Sequence, residues 1–121
     1  REPSTLKLFA AYNSSISRRG IAFDKPQKDN YTTTDPHPYP SRFASPLTFG
    51  HTGYTGTCIW VDPKFDLVYV FLSNRVNPER STNLYKLNIR GSIEDAVYKA
   101  MVPAIPEVLK REELEKQEYA K

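Results

Sequence analysis

Apolar and polar positions change period several times along this chain, and each period predicts an element. Over Leu6–Ser17, Leu6, Phe9, Ala10 and Tyr12 fall on one side of a helix, the spacing of an amphipathic segment. "RGIAFD", Arg19 to Asp24, reads as a short strand. Residues 25–46 carry Pro36, Pro38, Pro40 and Pro46. Each proline removes a backbone donor and fixes its own φ, which excludes helix and central strand. A long loop follows, either a functional or mobile segment or a surface linker. Thr57–Val61 is rich in β-branched and aromatic residues and predicts a strand. "DPKFD", Asp62 to Asp66, is a turn. Leu67–Leu72 is an unbroken apolar run, the pattern of a strand covered on both faces. Two strands this close in sequence pair most simply as an antiparallel hairpin. Ser81 or Thr82 can cap a helix. Leu84, Leu87, Ile93, Val97, Ala100 and Met101 then keep helical spacing until Pro103 and Pro106 stop it. Gly91 interrupts that helix at a cost of about 1 kcal/mol relative to alanine.

These elements predict an α+β fold: an antiparallel sheet with a C-terminal helix packed on it. They divide the chain into a folded portion, 1–102, and a charged tail, 103–121, which reads as a solvated helix. At 121 residues the chain is one domain or a piece of one. The net charge is +3, and no basic stripe interleaved with aromatics argues for nucleic acid. Cys58 is the single cysteine, so no internal disulfide forms. Together with His37 and His51 it makes no zinc site. No run approaches the ~18 apolar residues of a membrane-spanning helix. There is no initiator Met and no signal-peptide pattern. The opening "REPSTLKLF" reads like the interior of a longer chain.

The stretch with most chemistry in it is "TFGHTGYTGTCIWVD". Gly50, Gly53 and Gly56 surround His51 where the first hairpin strand begins. Glycine there allows close backbone approach or unusual φ. At "FGHTGYTG" and its downstream hairpin, the chain resembles the serine β-lactamase-like superfamily, nearest the class C β-lactamase, D-aminopeptidase and esterase-like group. Those proteins carry a Ser-x-x-Lys, a Tyr-x-Asn and a Lys-Thr-Gly-type motif in that order. Here His51-Thr52-Gly53 stands in the place of the third. "TGTCIWVDPKFDLVYVFLSNR" resembles the next two strands of the family and "NIRGSIEDAVYKAM" its terminal helix. "RRGIAFDKP" is similar to a strand that commonly precedes the motif. The resemblance covers residues 5–102 and corresponds to the C-terminal third of such a domain, that is, of a β-lactamase/transpeptidase-like fold.

The resemblance implies roles for His51, Thr52, Gly53 and Tyr54 as catalytic residues. His51 would join the proton network beside the nucleophilic serine. Gly53 would keep the strand bare for substrate. The Tyr54 N–H would be one of two oxyanion donors. Lysine is a fixed cation near neutral pH, whereas a histidine titrates close to it. The exchange puts β-lactam turnover in doubt and fits esterase, peptidase or amidase members better. The bland alternative is that His51 is a satisfied polar residue at a strand end. Asn77-Pro78-Glu79-Arg80 resembles the family's N-P-x-R segment, which implies that Asn77 and Arg80 bind substrate; an ordinary helix lead-in with Arg80 solvated is the alternative. Cys58 reads as a small core residue.

Ser4-Thr5-Leu6-Lys7 matches Ser-x-x-Lys literally, but its spacing from the third motif is wrong. Too little chain separates it from His51 to hold a helical subdomain, and no Tyr-x-Asn is present. The nucleophile is therefore expected outside these residues. The expectation is the C-terminal segment of a serine hydrolase acting on an ester, amide or peptide, without a cofactor or metal. The alternative is a non-catalytic binding module of the same architecture. The resemblance also implies a bacterial, extracytoplasmic setting. A sheet without its missing neighbours would favour self-association of the segment.

Overall fold

The computed structural model describes residues 3–30 and 32–101. The expected tail, 103–121, and the stop at Pro103 and Pro106 lie outside them. Three strands form one antiparallel sheet in the order β1 (Phe49–Thr52), β2 (Cys58–Asp62), β3 (Leu67–Phe71). β2 and β3 are the expected hairpin, closed by Phe65 N–H donating to Asp62 O at 3.3 Å. Trp60 stands opposite both Gly50 and Tyr69; Ile59 stands opposite both His51 and Val70. Side chains alternate across a sheet, so the register sorts them onto two faces. Gly50, Trp60 and Tyr69 share one face with Thr52, Cys58 and Phe71. His51, Ile59 and Val70 share the other with Phe49, Val61 and Val68.

The first face is the core. Cys58, Trp60 and Tyr69 are buried there, with Tyr39, Phe71 and Val97 packed against them. On the second face Val68 and Val70 are 59% and 52% exposed. The apolar run expected to be covered on both faces is therefore covered on one. Its alternate residues point in opposite directions, and the segments bearing Tyr39 and Val97 lie on the Trp60 side. Cys58 is the core residue expected, and burial pushes its thiol up to about 11.

The described residues also hold three helices: α1 (Pro3–Ala10), α2 (Asn83–Lys86) and α3 (Ile89–Ala100). The helix expected over Leu6–Ser17 begins earlier and stops at Ala10. Asn13 Nδ2 donates to the carbonyls of Leu8 and Ala11 at 3.1 and 2.8 Å, and Ser14 Oγ accepts from Ile16 and Ser17 N–H. Such local side-chain bonds compete with helix continuation. The strand expected over Arg19–Asp24 shrinks to one bridge between Asp24 and Gly50, because Ala22 is left-handed at φ 65.

The C-terminal helix also differs from its predicted stripe. It breaks at Asn88, left-handed at φ 47 and ψ 41, and the break resets its phase. Its buried residues are Gly91, Glu94 and Tyr98, while Leu87 and Ile93 are exposed. Gly91 marks a close approach rather than an interruption. A Cβ there would lie 2.9 Å from the Pro40 carbonyl oxygen. Thr82 is the N-cap residue of α2 but makes no side-chain capping bond; Ser81 Oγ instead accepts the Asn83 N–H at 3.2 Å in a local turn.

The loop 25–46 is held down by polar contacts. Asn30, Ser41, Ala44 and Ser45 are buried. Asn30 Nδ2 donates to Ser41 O at 2.9 Å, and Asp95 on α3 accepts from Ser41 Oγ and from Arg42 N–H. Asp62, at the end of β2, accepts from Ser45 N–H, Ser45 Oγ and Tyr98 O–H at 3.0, 2.6 and 2.7 Å. Lys25 Nζ donates to the carbonyls of Pro46 and Thr48, both at 2.7 Å. Burial lowers that amine to about 8, against the pull of the Asp62 charge. The loop is thus a packed layer, and it carries Tyr39 to the back of β1.

Candidate active site

β1 runs along the edge of the sheet next to a single anchor. Asp24 N–H donates to Gly50 O at 2.8 Å, and Gly50 N–H donates to Asp24 O at 3.1 Å. Gly50 is required by what lies on its inner side: a Cβ would sit 2.0 Å from Ile59 O and 2.9 Å from Trp60 Cα. Only a bare backbone fits, which answers why a glycine precedes His51 in this strand.

His51 projects from the exposed face beside Ile59. Its Nδ1 lies 2.7 Å from the Thr52 carbonyl oxygen. A carbonyl only accepts, so Nδ1 is the donor in this contact, and whenever the ring is neutral the lone pair is on Nε2. Thr52 turns the other way, toward Tyr39 and Trp60. After it the chain turns through Gly53–Gly56. Gly53 N–H donates to Thr57 O at 2.7 Å and Gly56 N–H to Gly53 O at 3.0 Å. Neither bond uses the N–H of Tyr54. Gly56 is left-handed at φ 99, which completes the turn.

The ring of Tyr54 is exposed and meets two guanidinium groups. Arg75 Cζ lies 4.9 Å and Arg80 Cζ 5.6 Å from its centroid. Arg75 also lies 5.0 Å from the Tyr85 ring, and Arg90 lies 5.1 Å from that ring on its own account. The order Arg80, Tyr54, Arg75, Tyr85, Arg90 is an alternating run of cations and π faces. Arg75 is buried, and its Nε has no hydrogen-bond partner. The structure therefore brings Arg80 to the turn that follows His51-Thr52-Gly53. No ring contact ties Asn77 to the same group; its backbone N–H is held by Asn74 Oδ1 at 3.1 Å.

Three participants escaped the sequence reading. Tyr39 O–H donates to Asp24 Oδ2 at 2.8 Å, and Arg18 forms an ion pair with Asp24 at 3.2 Å. Burial works to raise the Asp24 carboxyl, but the bonds from Tyr39, Arg18 and the Lys25 N–H outweigh it and hold it below its ordinary value. Arg75 is the third, and its place directly after β3 in "SNR" was the available signal. Ser4 and Lys7 stand on α1, both exposed. An apolar groove of about 790 Å³ runs between α1 and residues 46–49; none of His51, Thr52, Gly53 or Tyr54 lines it. No helix among the described residues is long and apolar enough to cross a membrane, and no three potential metal ligands among them cluster.

Comparison with known proteins addresses the family. The profile of the Beta-lactamase family matches residues 13–91. A protein of Escherichia coli (strain K12) named "Putative D-alanyl-D-alanine carboxypeptidase" is 30% identical over 107 residues, covering 80% of this chain and 24% of the relative. A protein of that name from Salmonella paratyphi B is 38% identical over 67 residues, 51% of this chain and 15% of the relative. An "N-acetylmuramyl-L-alanine amidase" of Bacillus subtilis (strain 168) is 34% identical over 68 residues, 48% and 15% respectively. The chain thus spans about a quarter or less of these relatives' length. No solved structure matches.

Proposed function

From a chain that belongs to the Beta-lactamase family, we propose the C-terminal segment of a serine hydrolase whose acyl-transfer site is walled by His51-Thr52-Gly53. The supporting observation is the turn after β1. It leaves the Tyr54 N–H out of its own hydrogen bonds and stands beside the exposed His51. In the reaction a serine from outside the described residues attacks the acyl carbonyl. The carbonyl oxygen becomes an oxyanion, and the Tyr54 N–H is one of two donors that receive it. A donor of this kind stabilises the transition state by about 3 kcal/mol. The Nε2 lone pair of His51 accepts a proton or a hydrogen bond from the reacting groups.

The substrate class follows from the same turn. Arg80 and Arg75 bracket Tyr54, and neither has an ion-pair partner among the described residues. An ester, amide or peptide with an anionic group near the scissile bond suits them. The relatives' names, carboxypeptidase and amidase, point the same way. Such substrates fit an extracytoplasmic setting in a bacterium.

The test is His51→Ala in the whole protein that contains this segment. His51 is exposed, so the change should stay within about 0.5 kcal/mol in stability. Turnover of an activated ester should fall by about 10-fold or more. Unchanged turnover would leave His51 as a satisfied polar residue at a strand end, while no turnover in the wild-type whole protein would favour the non-catalytic binding module.

A further inference from the structure

Behind β1, on the face opposite His51, lies a cavity of about 180 Å³. Its walls include the rings of Tyr39, Trp60 and Tyr85, with Thr52, Asn88 and Glu94 between them. Glu94 is 1% exposed, and its Oε1 has no hydrogen-bond partner. A buried polar atom without a partner costs about 1–3 kcal/mol, and among the buried atoms left unpaired Glu94 Oε1 is the one whose residue lines this cavity.

The charges around Glu94 say which kind. Burial first, then the carboxylates of Asp95 on α3 and Asp62 on β2, raise its carboxyl to about 8. Tyr69, Tyr98 and Cys58 also feel its charge, and all three are pushed up by burial and stay neutral there. Tyr39, pushed up likewise, gives its proton to the hydrogen bond with Asp24. Arg90 is the cation among the lining residues. Its Nη1 donates to Gly56 O and Thr57 O at 3.3 and 3.1 Å, and it forms no ion pair with Glu94. A carboxyl without a counter-ion thus shares the cavity with the rings of Tyr39 and Trp60, Tyr85 being already engaged by Arg75 and Arg90; carboxyl and π surfaces together recognise organic cations. The space exceeds the ~150 Å³ that holds a benzene, which limits the guest to a small molecule or the tip of a side chain.

We propose that this cavity binds a small alkylammonium group, whose head pairs with Glu94 and rests against Tyr39 and Trp60. The group comes either from a free amine or from the side chain of a bound peptide. The inference does not depend on the role of His51.

Trp60 is the single tryptophan of the chain, so its fluorescence reports the cavity. The 121-residue chain is titrated with n-butylammonium and with n-butanol, its neutral counterpart. A saturable change with butylammonium is expected, with butanol at least about 10-fold weaker, as fits a desolvated charge pair over π faces. Affinity should rise with pH toward the Glu94 titration, since the cation binds the ionised carboxylate, while the amine stays charged up to about 10. Glu94→Gln should weaken binding about 10-fold and remove the pH dependence. Equal response to amine and alcohol, no saturation in the folded wild type, or unchanged affinity in Glu94→Gln each overturns the proposal. If Glu94→Gln loses the wild-type circular dichroism, Leu84→Phe decides, because it narrows the cavity from its outer wall without touching Glu94. Weaker butylammonium binding by that variant supports the site, and unchanged binding overturns it. A short lysine peptide compared with butylammonium separates the two sources: tighter peptide binding assigns the site to a peptide side chain, tighter amine binding to a free molecule.

Discussion

Tyr39→Phe removes one oxygen and leaves the ring. The ring keeps its edge-on contact with Trp60, centroids 5.4 Å apart, and its place under the Arg18 guanidinium at 4.6 Å. What is lost is the 2.8 Å hydrogen bond to Asp24, a buried carboxylate. A hydrogen bond to a charged group contributes about 1.5–3 kcal/mol. For a domain of about 100 residues, each kcal/mol shifts Tm by roughly 4–8 °C, so a loss on the order of 10 °C is expected. The pH dependence gives the sign. Asp24 is held below its ordinary value of 3.8 in the folded chain. The stabilisation from its bonds is therefore present above that value and is lost as pH falls through the lower, folded-state value. Without the Tyr39 bond the folded-state value rises toward 3.8. The gap between wild type and variant should be full at neutral pH and should narrow in strong acid. Urea unfolding of both chains across that range measures it. A gap under about 0.5 kcal/mol at neutral pH, the scatter of ordinary surface changes, would refute the reasoning. So would a gap of constant size at every pH.

Gly50→Ala should destabilise by about 2 kcal/mol or more, because the new methyl meets the backbone of Ile59 and Trp60. Gly53→Ala should cost less, since its nearest contact is the Thr57 side-chain oxygen, which can rotate; equal Tm losses in thermal melts would contradict the ordering. The 121-residue chain alone should not hydrolyse an activated ester, and stoichiometric labelling of Ser4 by a fluorophosphonate would show that Ser4-Thr5-Leu6-Lys7 had been wrongly set aside. The same chain should self-associate through the exposed face of Val68 and Val70, and Val70→Lys should lower its mass in sedimentation; a wild type that sediments as a monomer rules this out.

Much of this fold is legible because its signals are local. The β2–β3 hairpin follows from two strand-forming runs joined by one short turn; β2 runs one residue later than expected, and β3 begins as expected and ends one residue earlier. The strand that carries His51 and Thr52 exists, as the resemblance implied, and Gly53 lies just past its end. The failures share a cause: each depended on contacts distant in sequence. "RGIAFD" has strand-forming residues, yet only Asp24 pairs, because Gly20 closes on the carbonyls of Phe9 and Ala11 and Ala22 turns left-handed. The α3 stripe was misphased because nothing local announces the left-handed Asn88. Once the phase resets, Glu94 faces inward and Ile93 outward, an inversion that hydrophobic periodicity cannot find. Tyr39 sits among prolines, where the pattern carries no information about its partner fifteen residues earlier.

The distribution of buried groups explains how so thin a sheet holds an edge strand in place. Few large apolar side chains are buried, while Asp24, Lys25, Asn30, Asp62 and Glu94 all are. Polar networks of this kind add little net stability per bond, but they fix geometry, because any displacement leaves a buried group unpaired. Asp24 pins the outer side of β1, with Tyr39 and Arg18 fixing Asp24 in turn. Asp62 pins the far end of β2 to the loop and to α3. Lys25 ties Pro46 and Thr48, the residues that lead into β1, to the segment that carries Asp24. The strand bearing His51 is thereby held from its outer edge, its entry and its neighbour. Glu94 alone among these groups has no bond, and it lies behind Thr52. Single atoms elsewhere also lack partners, Asn30 Oδ1 and Arg75 Nε among them, but Glu94 Oε1 is the one at the wall of the cavity behind the strand.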